Sequence, residues 1–198
     1  MRASPPPRAR PLRALALADE PPHAPIRELV ASHEPDLILV LGDLEPAWTD
    51  GLADVDLPKL GVAGNHDAPD LLTGLGVEDL HLRRTELGGL SFGGFGGSPR
   101  YSREGRNEWT EEEAEAMLAG LPTADVLLTH SPPAGVNDEP GDRAHRGSPA
   151  LRAWVERERP AWLLHGHTLP NPARRDARVG DTRVVHVRGA TVVELGRP

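Results

Sequence analysis

Polar side chains that could hold a metal ion follow apolar segments at several points in this sequence. Five of them directly succeed a short aliphatic run or the glycine turn after it: Asp19, Asp43, Asn65, His130 and His167. This mixture of carboxylate, amide and imidazole donors suits Mn, Fe or Zn better than calcium, which prefers a cage made only of oxygens. Such ions bind phosphoryl oxygens and lower the pKa of water, so the set indicates phosphoester hydrolysis.

The segments that precede these residues predict the elements that position them. Strands are predicted at Leu12–Asp19, Asp36–Leu41, Lys59–Ala63, Ala124–Thr129 and Ala161–Leu164, and helices at Ile26–His33, Thr110–Leu118 and Ser148–Arg157. Alternation of strand and helix indicates an α/β sheet, whose ligands collect beyond the carboxyl ends of the strands. The segments Gly88–Gly97, Arg183–Val187 and Ala190–Leu195 predict antiparallel strands, so the sheet is mixed or there are two sheets.

Length, charge and composition limit the possible partners. The 198 residues are expected to form one domain at 12–198, after a disordered tail rich in Pro and Arg at 1–11. The absence of cysteine excludes thiolate metal sites and a cysteine nucleophile. A formal charge of -8 disfavours duplex nucleic acid, and no run approaches the roughly 18 apolar residues of a membrane span. We therefore predict a cytoplasmic protein that acts on a small phosphoester.

Four short blocks carry a more specific signal, and each of them ends an apolar segment. In chain order they are LVLGDLE, VAGNHDAP, LLTHSPP and LLHGHT. They resemble the GD, GNHD, TH and GH blocks of the calcineurin-like metallophosphoesterase superfamily, from residue 14 to about residue 169. The stretch LLTHSPPAG, followed by HRGS, is similar to the branch of small phosphodiesterase-type members. The resemblance implies a four-layer α/β/β/α sandwich of two mixed sheets and hydrolysis by metal-activated water.

The resemblance also implies the metal ligands. Asp43 would bridge two divalent metals, and Asp19 would belong to the first of them. The shell of the second metal would be completed by Asn65, His130 and His167. For each residue taken singly, a turn or a helix cap is the more common role, and it is the set that favours metal binding.

Residues next to these ligands are the candidates for acid catalysis and substrate contact. By the same resemblance, His66 would face the oxygen of the leaving group as a general acid or a positive charge, with Asp67 holding its ring. His145 and Arg146 are candidates for substrate binding, although their loop is also consistent with a solvated segment.

Two positions depart from the pattern of the superfamily. Its opening Asp-x-His is replaced by Asp19-Glu20-Pro21, and its closing Gly-His-x-His ends here in Leu169. Both missing histidines would bind the first metal, so we predict one occupied metal position, with the other vacant, weak or completed by Glu20, His23 or His165. The alternative is a non-catalytic scaffold that keeps this fold and a vestigial metal site.

Overall fold

A computed structural model of the chain describes residues 10–102, 105–169 and 176–196. The strands are β1 (Leu12–Ala18), β2 (Leu37–Val40), β3 (Lys59–Gly61), β4 (Glu78–Asp79), β5 (Arg84–Leu87), β6 (Leu90–Phe95), β7 (Ser98–Pro99), β8 (Glu108–Trp109), β9 (Val126–Thr129), β10 (Trp162–His165), β11 (Asp176–Val179), β12 (Thr182–His186) and β13 (Gly189–Leu195). The helices are α1 (Ile26–His33), α2 (Leu71–Gly74), α3 (Glu111–Ala119) and α4 (Pro149–Glu158), with a 3-10 turn at Pro46–Trp48.

Two large mixed sheets contain most of these strands, as predicted. The first has the order β13-β1-β2-β3-β4, with β13 antiparallel and the remaining neighbours parallel. The second has the order β11-β12-β10-β9-β6-β5, and its four inner strands are parallel. The short strands β7 and β8 form a separate pair. In both large sheets the parallel strands therefore send their carboxyl ends to the same edge.

Alternating side chains of the strands build three hydrophobic cores. In β1, Ala14, Ala16 and Ala18 face the core between the sheets, while Leu15 and Leu17 face the core that includes α1 and α2. The strands of the second sheet alternate in the same way, because their outward residues pack in a third core with α3 and α4. The layers therefore run α/β/β/α, which confirms the predicted fold.

Two of the strands predicted as antiparallel have mixed pairing instead. The segment Gly88–Gly97 forms a hairpin in which β6 is antiparallel to β5 but lies parallel to β9 on its other side. Within Arg183–Val187, β12 is antiparallel to β11 and parallel to β10. Nearby turn residues indicate antiparallel pairing in the sequence, whereas the parallel partners of these strands come from distant parts of the chain. Ala190–Leu195 pairs antiparallel with β1, as expected.

Helix α4 is fixed to α3 through its amino-terminal cap. The buried Ser148 hydroxyl accepts a hydrogen bond from the N–H of Leu151 at 3.1 Å and donates to Glu111 Oε2 at 2.9 Å. Ser148 N also donates to the carbonyl of Pro132, so the cap holds the loop that follows β9. The side chain and the backbone N–H of Ser148 thus connect two helices to the loop that begins with His130.

The described part of the chain begins at Arg10. Of the predicted tail 1–11, residues 1–9 lie outside the described residues, and Arg10 forms an ion pair with Asp36 at 2.6 Å. Among the described residues, no helix has the length and apolar character required to cross a membrane.

Candidate metal centre

The loops after five strands meet at the carboxyl edge of the two sheets. They follow β1, β2, β3, β9 and β10 and carry Asp19, Asp43, Asn65, His130 and His167. One ligand atom each from Asp43, His130 and His167 lies within 4.8 Å of the other two. Side chains separated by more than a hundred residues in the chain therefore converge as the sequence predicted.

His130 lies at the centre of this group and is fully buried. Its Nδ1–H donates to the carbonyl oxygen of Leu41 at 2.7 Å, which fixes the ring. Its Nε2 then faces Asn65 Oδ1 at 3.0 Å and Asp43 Oδ2 at 3.4 Å. Both oxygens can only accept hydrogen bonds, so the three atoms need either a proton on Nε2 or a cation between them. Nitrogen and oxygen donors in this arrangement fit a divalent transition metal.

The charges of Asp43 and His130 depend on one another. Burial alone would raise the pKa of Asp43, but the charge and hydrogen bond of His130, with the N–H of His66, lower it to about 2. Burial alone would lower the pKa of His130, but the carboxylate of Asp43 raises it to about 9. In the metal-free chain a proton on His130 therefore supplies the positive charge that this pocket requires.

His167 lies against His130 and presents a neutral ring. The ring centroids are 4.8 Å apart, and His167 Nε2–H donates to the carbonyl of Ala144 at 2.6 Å, which leaves Nδ1 as the available ligand atom. Burial and the charge of His130 lower the pKa of His167 to about 3. A neutral imidazole is the form that binds metals.

Asn65 is held by a residue that the sequence analysis did not identify. Its Nδ2 donates to the hydroxyl of Tyr101 at 3.0 Å, and the same hydroxyl lies 3.4 Å from His66 Nε2. The side chain of His66 is exposed, while its backbone N–H donates to Asp43 Oδ1 at 2.9 Å. Tyr101 belongs to none of the four blocks and lies in an irregular loop, so no pattern in the sequence indicated it.

Asp67 does not hold the ring of His66, contrary to the expectation. Its Oδ2 accepts hydrogen bonds from the N–H groups of Gly64 at 2.7 Å and Asp43 at 2.9 Å, and its Oδ1 accepts one from Leu44 at 3.1 Å. The carboxylate is buried and joins the loop after β2 to the loop after β3. Its hydrogen bonds therefore position the backbone that carries Asp43 and Asn65.

The same two loops approach so closely that both require glycine. A Cβ at Gly42, where φ is +93°, would overlap the backbone of Gly64 and approach His130 Nδ1 to 2.7 Å. A Cβ at Gly64 would overlap the carboxylate of Asp43. Any other residue at these positions would separate Asp43 from His130.

Asp19 lies on the first-metal side of the cleft, and among the described residues it belongs to no candidate group of metal ligands. Burial raises the pKa of Asp19 to about 6, although the charge of His130 and the N–H of His167 oppose this. In the part of the chain that the structure describes, the candidate ligand groups are Asp43 with His130 and His167, and Glu139 with Asp142 and His145. Neither group contains Asp19.

The three candidate replacement ligands for the first metal are either bonded to other protein groups or exposed. Glu20 pairs with Arg188 at 2.7 Å, and His23 is exposed. His165 is fully buried between Asn137 Nδ2 at 3.0 Å and the carbonyl of Gly166 at 2.9 Å. The position of the missing closing histidine is filled by Leu169, which is 50% exposed.

The two predicted substrate-binding residues lie in different places. His145 lies beside the centre, with its ring centroid 5.5 Å from that of His167 and its Nδ1 hydrogen-bonded to Asp142 at 2.7 Å. Arg146 is exposed and donates instead to the carbonyl of Arg100 at 3.3 Å. The structure therefore brings His145 to the cleft and directs Arg146 toward a neighbouring loop.

The chain is an α/β/β/α sandwich with a candidate metal centre, and comparison with known proteins gives its family. The family model described as calcineurin-like phosphoesterase matches residues 22–171. The chain therefore belongs to the calcineurin-like phosphoesterase family, as the four blocks predicted.

One curated relative matches part of the chain. The Caenorhabditis elegans UPF0046 protein K07C11.7 is 32% identical over 130 residues, covering 55% of this chain and 44% of that protein. The chain thus spans less than half the length of the curated relative it matches.

Solved structures similar to this chain show the fold alone, because their sequences are distant. One crystal structure has a TM-score of 0.70 at 17% identity and covers 94% of this chain and 100% of its own. TT1561 of Thermus thermophilus has a TM-score of 0.63 at 17% identity, with coverages of 93% and 99%. GAP50, described as the anchor in the inner membrane complex of Plasmodium, has a TM-score of 0.52 at 14% identity, with coverages of 89% and 71%.

Proposed function

We propose that this chain is a phosphoesterase that acts on a small or nucleotide-like phosphodiester, with one divalent Mn, Fe or Zn ion held by Asp43, Asn65, His130 and His167. The main support is the convergence of the side chains. One ligand atom each from Asp43, His130 and His167 lies within 4.8 Å of the others, and Asn65 Oδ1 lies 3.0 Å from His130 Nε2. When bound, such an ion attracts phosphoryl oxygens and lowers the pKa of the attacking water.

The side chain of His66 is placed to assist the leaving group. It is exposed at the mouth of the cleft, while its own backbone N–H is fixed to Asp43. A histidine in this position can donate a proton to the departing oxygen as a general acid. Asp67 contributes by holding the backbone on both sides, and it has no part in proton transfer.

The space beside His66 supports a small substrate. A cavity of about 430 Å³ opens next to Asn65, His66 and Tyr101, with Arg106 at its border. Volumes of this order accommodate small organic ligands. The formal charge of -8 opposes the close approach of a duplex, so the proposal includes no nucleic-acid duplex as substrate.

A non-catalytic scaffold is the second candidate, and the first-metal side favours it. Among the described residues Asp19 has no partner ligands there, and Pro21 and Leu169 are exposed where the resemblance expects histidines. GAP50, which shares the fold, is described as an anchor. A scaffold of this kind would have no metal-dependent hydrolysis.

Metal content and hydrolysis, measured on the same samples, decide between the candidates. After dialysis against Mn²⁺, the wild-type chain is expected to retain one ion and to hydrolyse bis-p-nitrophenyl phosphate. His130→Ala should lose the ion, whereas His66→Ala should keep it and lose about 100-fold or more in kcat, the usual effect of a general acid. His23→Ala removes another exposed histidine and is the matched control, with both values unchanged.

Other outcomes would contradict parts of the proposal. Two tightly held ions per chain would refute the single-metal assignment, and a loss of one of them in His23→Ala would identify the missing ligand. Wild-type chain that holds Mn²⁺ without hydrolysis, and that is unaffected by His66→Ala, would indicate the scaffold.

A further inference from the structure

The hydroxyl of Tyr101 lies behind the metal centre and contacts two of its residues. It is 3.0 Å from Asn65 Nδ2 and 3.4 Å from His66 Nε2. The first distance is that of an ordinary hydrogen bond, while the second is long for one. The contact with Asn65 is therefore the stronger of the two.

Hydrogen bonds to the backbone keep Tyr101 in this position. Its N–H donates to Glu108 Oε2 at 3.3 Å, and the N–H of Ser102 donates to the same oxygen at 3.2 Å. The preceding Arg100 N–H donates to the carbonyl of Trp109 at 2.8 Å. Glu108 and Trp109 form β8, so the loop is attached to a strand on both sides of the tyrosine.

The orientation of the Asn65 amide decides whether it can be a ligand. Its oxygen and its nitrogen have nearly the same shape, but only the oxygen can bind a cation. In the structure the amide oxygen faces His130 Nε2 at 3.0 Å, and the NH₂ group faces the hydroxyl of Tyr101 on the other side. The hydroxyl of Tyr101 can donate or accept, and with its single proton directed at His66 Nε2 it accepts from the Asn65 NH₂ group, so reversal of the amide would lose this bond.

We propose that Tyr101 is a positioning residue of the metal centre, whose hydroxyl holds the amide of Asn65 with its oxygen toward the ion. The inference rests on the metal-binding part of the proposed function and not on hydrolysis. Tyr101 acts through Asn65, so removing its hydroxyl lowers the affinity for the ion only while Asn65 is present.

The affinity of the full-length chain for Mn²⁺, measured by isothermal titration calorimetry, tests this directly. Tyr101→Phe keeps the ring and removes the hydroxyl, and it should weaken Mn²⁺ binding about 10-fold, the lower end of what loss of a group that orients a ligand causes. Ser102→Ala is the matched control, because it removes a neighbouring hydroxyl that bonds Glu108 and does not reach Asn65. Its affinity should equal that of the wild type.

A second background separates a positioning role from a general structural one. In Asn65→Ala, the ligand is already absent, so adding Tyr101→Phe should leave the Mn²⁺ affinity unchanged. A role exerted through the fold would instead weaken both backgrounds by the same factor, since independent effects are additive. Equal losses would therefore overturn the inference, as would a Tyr101→Phe chain that binds Mn²⁺ like the wild type.

The outcomes also separate this inference from the proposed hydrolysis. If the wild type binds Mn²⁺ but hydrolyses no phosphodiester, the proposed enzymatic function fails, and the affinities still decide the role of Tyr101. If the wild type binds no Mn²⁺, both fail. Circular dichroism checks that Tyr101→Phe is folded, which is expected because the substitution keeps the aromatic ring and removes only the hydroxyl of a half-buried side chain.

Discussion

Replacing Asp67 should destabilise the fold as well as the site. Its carboxylate accepts hydrogen bonds from three backbone N–H groups, those of Asp43, Leu44 and Gly64, at 2.7 to 3.1 Å. In Asp67→Ala all three lose their partner in a buried region. Because a buried unsatisfied donor costs at least about 1 kcal/mol, the loss adds up to about 3 kcal/mol.

For each unsatisfied donor, the lower limit of this free-energy cost applies here. Burial raises the pKa of Asp67, and the N–H of Gly64 only partly offsets this, so the buried charge itself has a cost that the substitution removes. In Asp67→Asn, the amide oxygen can keep the two bonds to Asp43 and Gly64, while NH₂ faces the N–H of Leu44. That variant should lose one bond, or about 1 kcal/mol.

Urea unfolding of the metal-free chain measures both values. The expected order of stability is wild type, then Asp67→Asn, then Asp67→Ala. His66→Ala is the control, because truncation of an exposed side chain should stay within about 0.5 kcal/mol of the wild type. If Asp67→Ala is as stable as His66→Ala, the assignment of Asp67 to the backbone is wrong, and its expected pairing with the His66 ring becomes the better explanation.

Three further predictions concern other parts of the chain. Ser148→Ala should lower the free energy of unfolding by about 1–2 kcal/mol in urea titrations, because it removes a buried helix cap; an unchanged value would contradict that role. Glu20→Gln should change stability by less than about 0.5 kcal/mol and leave the bound Mn²⁺ per chain unchanged, since Glu20 is in an exposed pair with Arg188; loss of an ion would identify it as a ligand. His81 accepts a hydrogen bond from Gly96 N–H, and burial lowers its pKa below the ordinary 6.5; the unfolded chain therefore binds more protons, and stability should fall as the pH decreases below 6.5. His81→Gln should have the smaller pH dependence in parallel unfolding series, and equal slopes would contradict this.

The part of the site that the sequence could predict consists of residues at strand ends. Asp43, Asn65, His130 and His167 follow aliphatic runs, and parallel strands bring their carboxyl ends together whatever the exact register. The convergence of these side chains could therefore be deduced from the order of the blocks.

What the sequence could not predict depends on contacts between distant loops. The contact of Tyr101 with Asn65 joins residues 36 positions apart, and the loop of Tyr101 has no periodic pattern. The sequence predicts that the carboxylate of Asp67 contacts the neighbouring ring of His66, whereas three backbone N–H groups from two loops bind it. Buried backbone N–H groups need partners, and a nearby carboxylate is a strong acceptor for them.

Three residues of the cleft adopt a backbone conformation that is unfavourable for residues other than glycine. Asp19, Asp43 and His167 have positive φ angles of 59°, 53° and 68°, a region that costs non-glycine residues roughly 1 kcal/mol or more each. Asp19 keeps this strained conformation and its bond to the N–H of His167 at 2.8 Å, although the family histidines beside it are replaced by Pro21 and Leu169. Contacts with neighbouring residues must therefore stabilise the unfavourable backbone conformation of Asp19. The carboxylate of Asp19 thus fixes the backbone of His167 and helps to hold its ring beside His130.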